Sequence, residues 1–354
     1  MKIKNIQISR ENLELAKPYT IAFKTITTVE NVIVKIELEN GLIGYGAGNP
    51  SEKVVGESID MAEEALQQTN IDFLIGRDIR EFQQLSDEIL LRLPKNPSAC
   101  AALDIALHDA FGQFIGLPLT QFFGQKQTSL PTSVTIGIMS VEETLQEALN
   151  FRKLGFKILK VKTGKSLEED IERIVKLREI LGSSMKIRVD ANQGYSDEET
   201  ILWFEKTEKL DIELVEQPVS QSRLLHTNFS PTHKKLIAAD ETLLTPVSAF
   251  ELAQREACGI FNIKLMKCGG IRQALQIATI AQFSGIDLMW GCNDESIISI
   301  AGALHAALAC PHTRYLDLDG SFDLARDVVA GGFILKDGEL SVNGKPGLGL
   351  SPLL

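Results

Sequence analysis

Between residues 133 and 317 the chain repeats one unit: a short β-branched run, a polar closing residue, then a helix-length amphipathic stretch. The runs fall at 133–136, 158–162, 187–190, 212–216, 237–240, 261–264, 287–290 and 315–317. Branched residues pack well on a pleated surface, and strands alternating with helical patterns call for a parallel sheet with helical crossovers. Eight strands at one βα period are the arithmetic of a closed barrel. No Gly-rich dinucleotide turn follows the first strand, which disfavours a doubly wound cofactor fold.

The barrel has company on both sides. Residues 2–16 and 28–47 read as strands of a small antiparallel sheet, and helical patterns follow near 51–68, 79–91 and 97–115. The run G-Y-G-A-G at 44–48 lacks the spacing of a phosphate loop and reads as a hairpin or mobile loop. After Gly320 the tail returns to strand and turn patterns at 332–338. The fold class expected is α/β: a (β/α)7β TIM-like barrel over 126–320, an α+β capping domain over 1–125, and a C-terminal segment, 321–354, packing back on that domain.

Composition narrows the partners. A formal charge of -11 with no clustered Lys/Arg stripe argues against nucleic acid and anionic membranes. No window approaches the roughly 18 apolar residues of a membrane span, and the N-terminus lacks a signal-peptide core. A soluble cytoplasmic protein with a small-molecule substrate is expected, and barrels of this kind often form homo-oligomers. The five cysteines are odd in number and scattered, so free thiols are expected. His108 and His305 sit in Ala/Leu-rich helical runs and read as packed structural residues.

The closing residues carry the chemistry. Thr135, Lys162, Asp190, Glu216, Asp240, Lys264, Cys292 and Asp317 recur every 24–28 residues. In a barrel the C-terminal strand ends converge on one mouth, so these side chains should share a site. Adjacent carboxylates ~4 Å apart repel by roughly 4 kcal/mol at an effective dielectric of ~20, so Asp190, Glu216 and Asp240 together need a cation. Three hard oxygen ligands suit Mg²⁺ better than zinc, which draws on His or Cys. Lys160 and Lys162, two apart on one strand, share a face. Burial, a neighbouring ammonium and a metal all depress a lysine pKa, moving Lys162 toward use as a general base. Lys264 stands across the mouth, and two lysines on opposite faces of one carbon allow epimerisation. Removing a hydrogen α to a carboxylate is feasible only if cations stabilise the enediolate, a task for Mg²⁺ aided by Lys160.

With these residues located, the chain resembles the enolase superfamily, in its muconate lactonising enzyme subgroup, and most closely the dipeptide epimerases. The matching pieces are L-K-V-K-T (Lys160, Lys162), R-V-D-A-N-Q-G (Asp190), V-E-Q-P (Glu216), A-A-D-E (Asp240), N-I-K-L-M-K-C-G-G-I (Lys264) and Y-L-D-L-D-G (Asp317, Asp319). The resemblance implies Lys162 and Lys264 as the acid/base pair, Asp190, Glu216 and Asp240 as ligands of one Mg²⁺ per subunit, and Lys160 at the substrate carboxylate. It also implies Asp317 and Asp319 at the α-ammonium of a dipeptide, with Thr135 and Cys292 lining the substrate, Cys292 through its backbone. The reaction implied is a 1,1-proton transfer that inverts the α-carbon of the C-terminal residue.

Two features bear on specificity. Gly291-Cys292-Asn293-Asp294-Glu295-Ser296 replaces a more apolar segment after the seventh strand. Relatives acting on Ala-Glu place a cation in the capping loop after Pro18, where Lys24 is the one candidate, flanked by Ile21, Phe23 and Ile26. Those apolar neighbours lead to an expected preference for hydrophobic or mixed dipeptides over Ala-Glu. The same site also fits N-acylamino acid racemisation, o-succinylbenzoate synthesis or muconate cycloisomerisation. Outside that chemistry stand a Schiff-base lysine, as in aldolases, and an inert barrel.

Overall fold

The computed structural model describes residues 1–21 and 24–353, and side chains outside 17–26. β1 (Ile3–Ile21) and β2 (Lys24–Leu38) form a long antiparallel ribbon, and β3 (Ile43–Gly48) pairs with the other edge of β2. The G-Y-G-A-G run is the second strand of a hairpin with β2, so of the two expected readings the hairpin holds and the mobile loop does not. The reason lies in the helix Pro97–Ile115 packed on it. A Cβ at Gly44, Gly46 or Gly48 would come within 2.3, 1.8 and 2.4 Å of the carbonyl oxygens of Ala106, Ala102 and Ser98. The bare glycines let backbone lie on backbone.

The helical pattern at 51–68 also resolves differently, into Glu52–Val55, Ile59–Ala65 and Gln68–Ile71. Gly56 in the left-handed region (φ 72°) stops the first, and the Ser58 hydroxyl caps the second by accepting the Met61 amide. The next helix, Phe82–Arg92, starts after a 3-10 turn at Ile79–Glu81. Pro97–Ile115 keeps the expected bounds, with Pro at its first turn and Gly116 at φ 71° past its end.

After the short β4 (Ser129–Pro131), eight parallel strands run in chain order: β5 (Val134–Ile136), β6 (Ile158–Lys162), β7 (Lys186–Asp190), β8 (Ile212–Glu216), β9 (Ile237–Ala239), β10 (Ile260–Ile263), β11 (Asp287–Gly291) and β12 (Thr313–Asp317). The Ser133 amide donates to the Leu316 carbonyl at 3.0 Å, bringing the first strand beside the last. Helices connect each strand to the next and none follows β12 before the tail, the (β/α)7β pattern. Asp240, Lys264 and Cys292 sit one residue past their strands, at the start of the mouth loops.

In the tail, β13 (Val329–Gly331) pairs with β16 (Leu350–Pro352), and β14 (Phe333–Lys336) with β15 (Glu339–Val342), which continues onto β4. The same segment reaches the capping unit: the Leu348 amide donates to the buried Asp109 carboxylate at 2.7 Å. Asp104, on the same helix, accepts the Ile271 amide at 2.6 Å, tying the capping helix to a barrel helix. His108 and His305 are buried in structural contacts, Nδ1 of His305 accepting the Thr120 amide at 3.1 Å. All five cysteines are free. Among the described residues no helix is long and apolar enough to cross a membrane.

Candidate active site

Strand alternation turns Lys160 and Lys162 of β6 toward the barrel axis, and pairing brings Lys162 beside Asp190 and Asp190 beside Glu216. Asp190, Glu216 and Asp240 are buried at the mouth. Lys160 sits among three acids: its Nζ lies 2.8 Å from Asp317 Oδ2, 2.8 Å from Glu216 Oε2 and 3.1 Å from Asp190 Oδ2. Lys162 Nζ lies 2.7 Å from Asp190 Oδ2, and Lys264 Nζ lies 2.9 Å from Asp240 Oδ2. The lysines thus flank the acid cluster from two sides, with Lys160 between.

The charges explain one another. Burial works against the charge on Asp190, but Lys162 and Lys160 more than offset it and hold its carboxyl low. Asp240 behaves likewise, with Lys264 and Lys267 outweighing its burial. Glu216 does not: burial and Asp190 push it up to about 8, and its Oε2 lies outside hydrogen-bond geometry. Burial disfavours the Lys264 ammonium, yet Asp240 and Glu216 raise its pKa above the usual lysine range. Lys264 is thus held in its charged form while the acids carry only lysines. Lys162 is about one-third exposed.

Three buried carboxylates gathered at the ends of successive barrel strands fit a hard divalent cation. Among the described residues no three of these groups close on one point, because each is turned to a lysine. Asn262 donates to Glu216 Oε1 at 2.7 Å and orients that carboxylate. Lys267, buried one helical turn after Lys264, bonds the Asp240 carboxylate and the Asp240 carbonyl. Asn192 accepts from Lys162 at 2.9 Å and donates its own amide to Asp190 Oδ1 at 3.0 Å. These three were missed as sequence positions, although all fall inside or beside the quoted motifs.

The D-x-D pair follows β12. Asp317 accepts from Ser133 Oγ at 2.6 Å, and Asp319 accepts the Thr135 amide at 2.8 Å. Thr135 therefore meets this pair through its backbone. Cys292 meets it through its side chain: the thiol lies 3.2 Å from the Asp317 carbonyl and accepts the Gly320 amide at 3.3 Å. The neighbouring segment is bound to the capping unit, Asn293 Nδ2 donating to the Asn49 carbonyl at 3.4 Å and the Ser296 amide to Asn31 Oδ1 at 3.4 Å. Glu295 is buried there, which pushes its carboxyl up to about 7. Lys24 opens β2, and its side chain lies outside the described residues.

A capping sheet and helices beside a parallel eight-stranded barrel, with lysines and carboxylates gathered at the strand ends, define an enzyme of the enolase type. The chain matches the model of the mandelate racemase/muconate lactonizing enzyme N-terminal domain over residues 3–124 and that of the enolase C-terminal domain-like family over 143–353. It belongs to this family. It is similar to the L-Lys-D/L-Arg epimerase of Methylococcus capsulatus, 53% identical over 352 residues that cover 99% of both chains. A crystal structure of a dipeptide epimerase from the same organism, complexed with Mg and the dipeptide L-Arg-D-Lys, superposes with a TM-score of 0.96 at 52% identity, covering 99% of each chain. The hydrophobic dipeptide epimerase of Enterococcus faecalis is 36% identical over 357 residues, covering 99% of this chain and all of that one. The expected hydrophobic preference is therefore corrected: the stronger similarity is to an enzyme of basic dipeptides. The apolar neighbours of Lys24 speak for one loop, whereas the similarity extends over 99% of the chain.

Proposed function

We propose that this chain is a Mg²⁺-dependent dipeptide epimerase that inverts the α-carbon of the C-terminal residue and prefers basic dipeptides. The carrying observation is the buried acid cluster flanked by Lys162 at Asp190 and Lys264 at Asp240. Asp190, Glu216 and Asp240 would hold the metal, which supplies positive charge at the substrate carboxylate and so acidifies the adjacent C–H. Lys160 adds its ammonium to that carboxylate. One of Lys162 and Lys264 takes the α-proton in neutral form while the other, as ammonium, returns a proton to the opposite face. The D-x-D acids supply the negative end that recognises the α-ammonium.

Basic selectivity is supported by the similarity reported above and by Asp294 in the loop after β11. Charge there favours a cationic side chain and disfavours Ala-Glu, whose carboxylate would be repelled. A cytoplasmic site of action and a homo-oligomeric state belong to the same proposal, the latter to be read by sedimentation at micromolar chain.

Incubation with Mg²⁺ in D₂O, followed by mass spectrometry, tests the proposal. L-Lys-L-Arg is expected to take up one deuteron at the C-terminal α-carbon with kcat/KM about tenfold or more above that of L-Leu-L-Tyr or L-Ala-L-Glu. No exchange with any of the three refutes it, and faster exchange of L-Leu-L-Tyr refutes the basic preference.

A further inference from the structure

The loops that follow β6 and β7 are built as one piece. Gly164, two residues past Lys162, has φ 98°, and a Cβ there would stand 2.3 Å from the Ala191 carbonyl oxygen. A Cβ on Gly194 would in turn stand 2.3 Å from the Gly164 carbonyl oxygen, so the two backbones touch. Between these contacts the loop after β7 turns through Asn192 and Gln193, both left-handed at φ 42° and 68° without being glycine. Such residues persist only where their surroundings over-determine them. Here Asp170, buried in the first turn of helix Leu167–Leu181, binds both loops through one oxygen. Its Oδ2 accepts the Gly164 amide at 2.8 Å and the Tyr195 hydroxyl at 2.8 Å, while Oδ1 takes the buried Arg173 guanidinium. Tyr195 is buried as well, and its amide donates to the Pro218 carbonyl at 3.0 Å.

We infer that Asp170 and Tyr195 are positioning residues for Lys162 alone: by clamping the loops after β6 and β7 together they fix the Lys162 ammonium on its face of the substrate carbon, without acting on Lys264. The inference rests on the two-lysine reading above and deepens it.

Three arguments support it. Lys162 is the last residue of β6, so the bond from the Gly164 amide to Asp170 fixes the chain two residues beyond it. The Lys162 side chain is 30% exposed against 11% for Lys264, so it depends less on packing and more on its polar contacts. One of those is Asn192 Oδ1 at 2.9 Å, and Asn192 lies in the left-handed turn that Tyr195 anchors three residues on. Asp170 thus reaches Lys162 by two routes, its own chain and its amide partner. Lys264 is carried by the loop after β10, and β7, β8 and β9 stand between that strand and β6.

The test adds Tyr195→Phe or Asp170→Asn to Lys264→Ala, where Lys162 works alone, and to Lys162→Ala, where Lys264 works alone. Deuterium uptake from D₂O with Mg²⁺ is read in L-Lys-L-Arg and L-Lys-D-Arg. A misplacement of about 1 Å can cost about 100-fold in rate. With Lys162 alone, Tyr195→Phe should lower kcat for the remaining exchange about tenfold and Asp170→Asn about 100-fold, with KM within about threefold. With Lys264 alone, both should leave exchange within about threefold. If the two lysine variants do not retain opposite epimers, the two-lysine reading itself has failed, and this inference with it. If they do, equal losses in the two backgrounds overturn the inference alone and make the clamp merely structural, as does an absence of loss with Lys162 alone. Tyr195→Phe removes one hydroxyl and keeps the ring, so it carries the test should Asp170→Asn fail to fold by circular dichroism.

Discussion

Lys264 Nζ lies 2.9 Å from Asp240 Oδ2, while the other oxygen of that carboxylate takes the Lys267 ammonium. A group proposed to move a proton and a group proposed to hold the metal thus share one contact. With only lysines on the acids, Asp240 and Glu216 keep Lys264 charged above the ordinary range despite its burial. A divalent cation on those carboxylates takes up their field, so Lys264 should titrate at lower pH once Mg²⁺ is bound. Competitive acetylation read by peptide mass spectrometry is expected to label Lys264 about tenfold faster at pH 8.5 with Mg²⁺ than with EDTA, the factor that one pKa unit represents. Equal labelling contradicts the coupling.

Glu216 is oriented by Asn262, whose side-chain amide donates to Oε1 at 2.7 Å. Partners that orient a ligand typically contribute about 10–100-fold in metal affinity. Asn262→Ala should weaken Mg²⁺ binding by that factor in calorimetry, with wild-type melting behaviour in EDTA. An unchanged Kd removes Asn262 from the metal site.

Asp319 carries a carboxyl pushed up to about 7 by burial and by Asp317. A raised acid is protonated below that value and can pair with an ammonium only above it. KM for a dipeptide should therefore fall as pH rises, by up to about tenfold per unit below pH ~7, and level off above it. Asp319→Asn should flatten this limb. A limb that survives the substitution belongs to another group.

Gly46 faces the capping helix so closely that a Cβ would stand 1.8 Å from the Ala102 carbonyl oxygen. Neither backbone can yield without shifting the helix. Gly46→Ala is expected to cost about 3 kcal/mol in denaturant unfolding, the upper range for overpacking. A loss below about 0.5 kcal/mol, the size of ordinary surface changes, contradicts that packing.

The barrel strands were legible because βα units keep one period, so Asp190, Glu216, Asp240 and Lys264 announce themselves by phase alone. Strand ends moved by no more than two residues, as hydrogen-bonded boundaries do. What was hidden depends on contacts remote in sequence. The glycines of β3 leave hairpin and loop both open until a helix more than fifty residues away lies on them. Ser133 and Arg188 read as ordinary strand residues, and only barrel closure puts both against Leu316 and Asp317. Nothing local reveals that the D-x-D loop folds over the Cys292 thiol. The apolar residues around Lys24 pointed to hydrophobic dipeptides, whereas the stronger whole-chain similarity is to an enzyme of basic dipeptides.

The two-lysine reaction is tested most directly by deuterium uptake from each epimer separately, in Lys162→Ala and in Lys264→Ala. With one base on each face, each variant should lose epimerisation by about 10³-fold or more yet retain exchange into a single epimer, and the two variants should retain opposite ones. Loss of exchange into both epimers in one variant, with normal epimerisation in the other, would contradict it and leave a single base serving both faces.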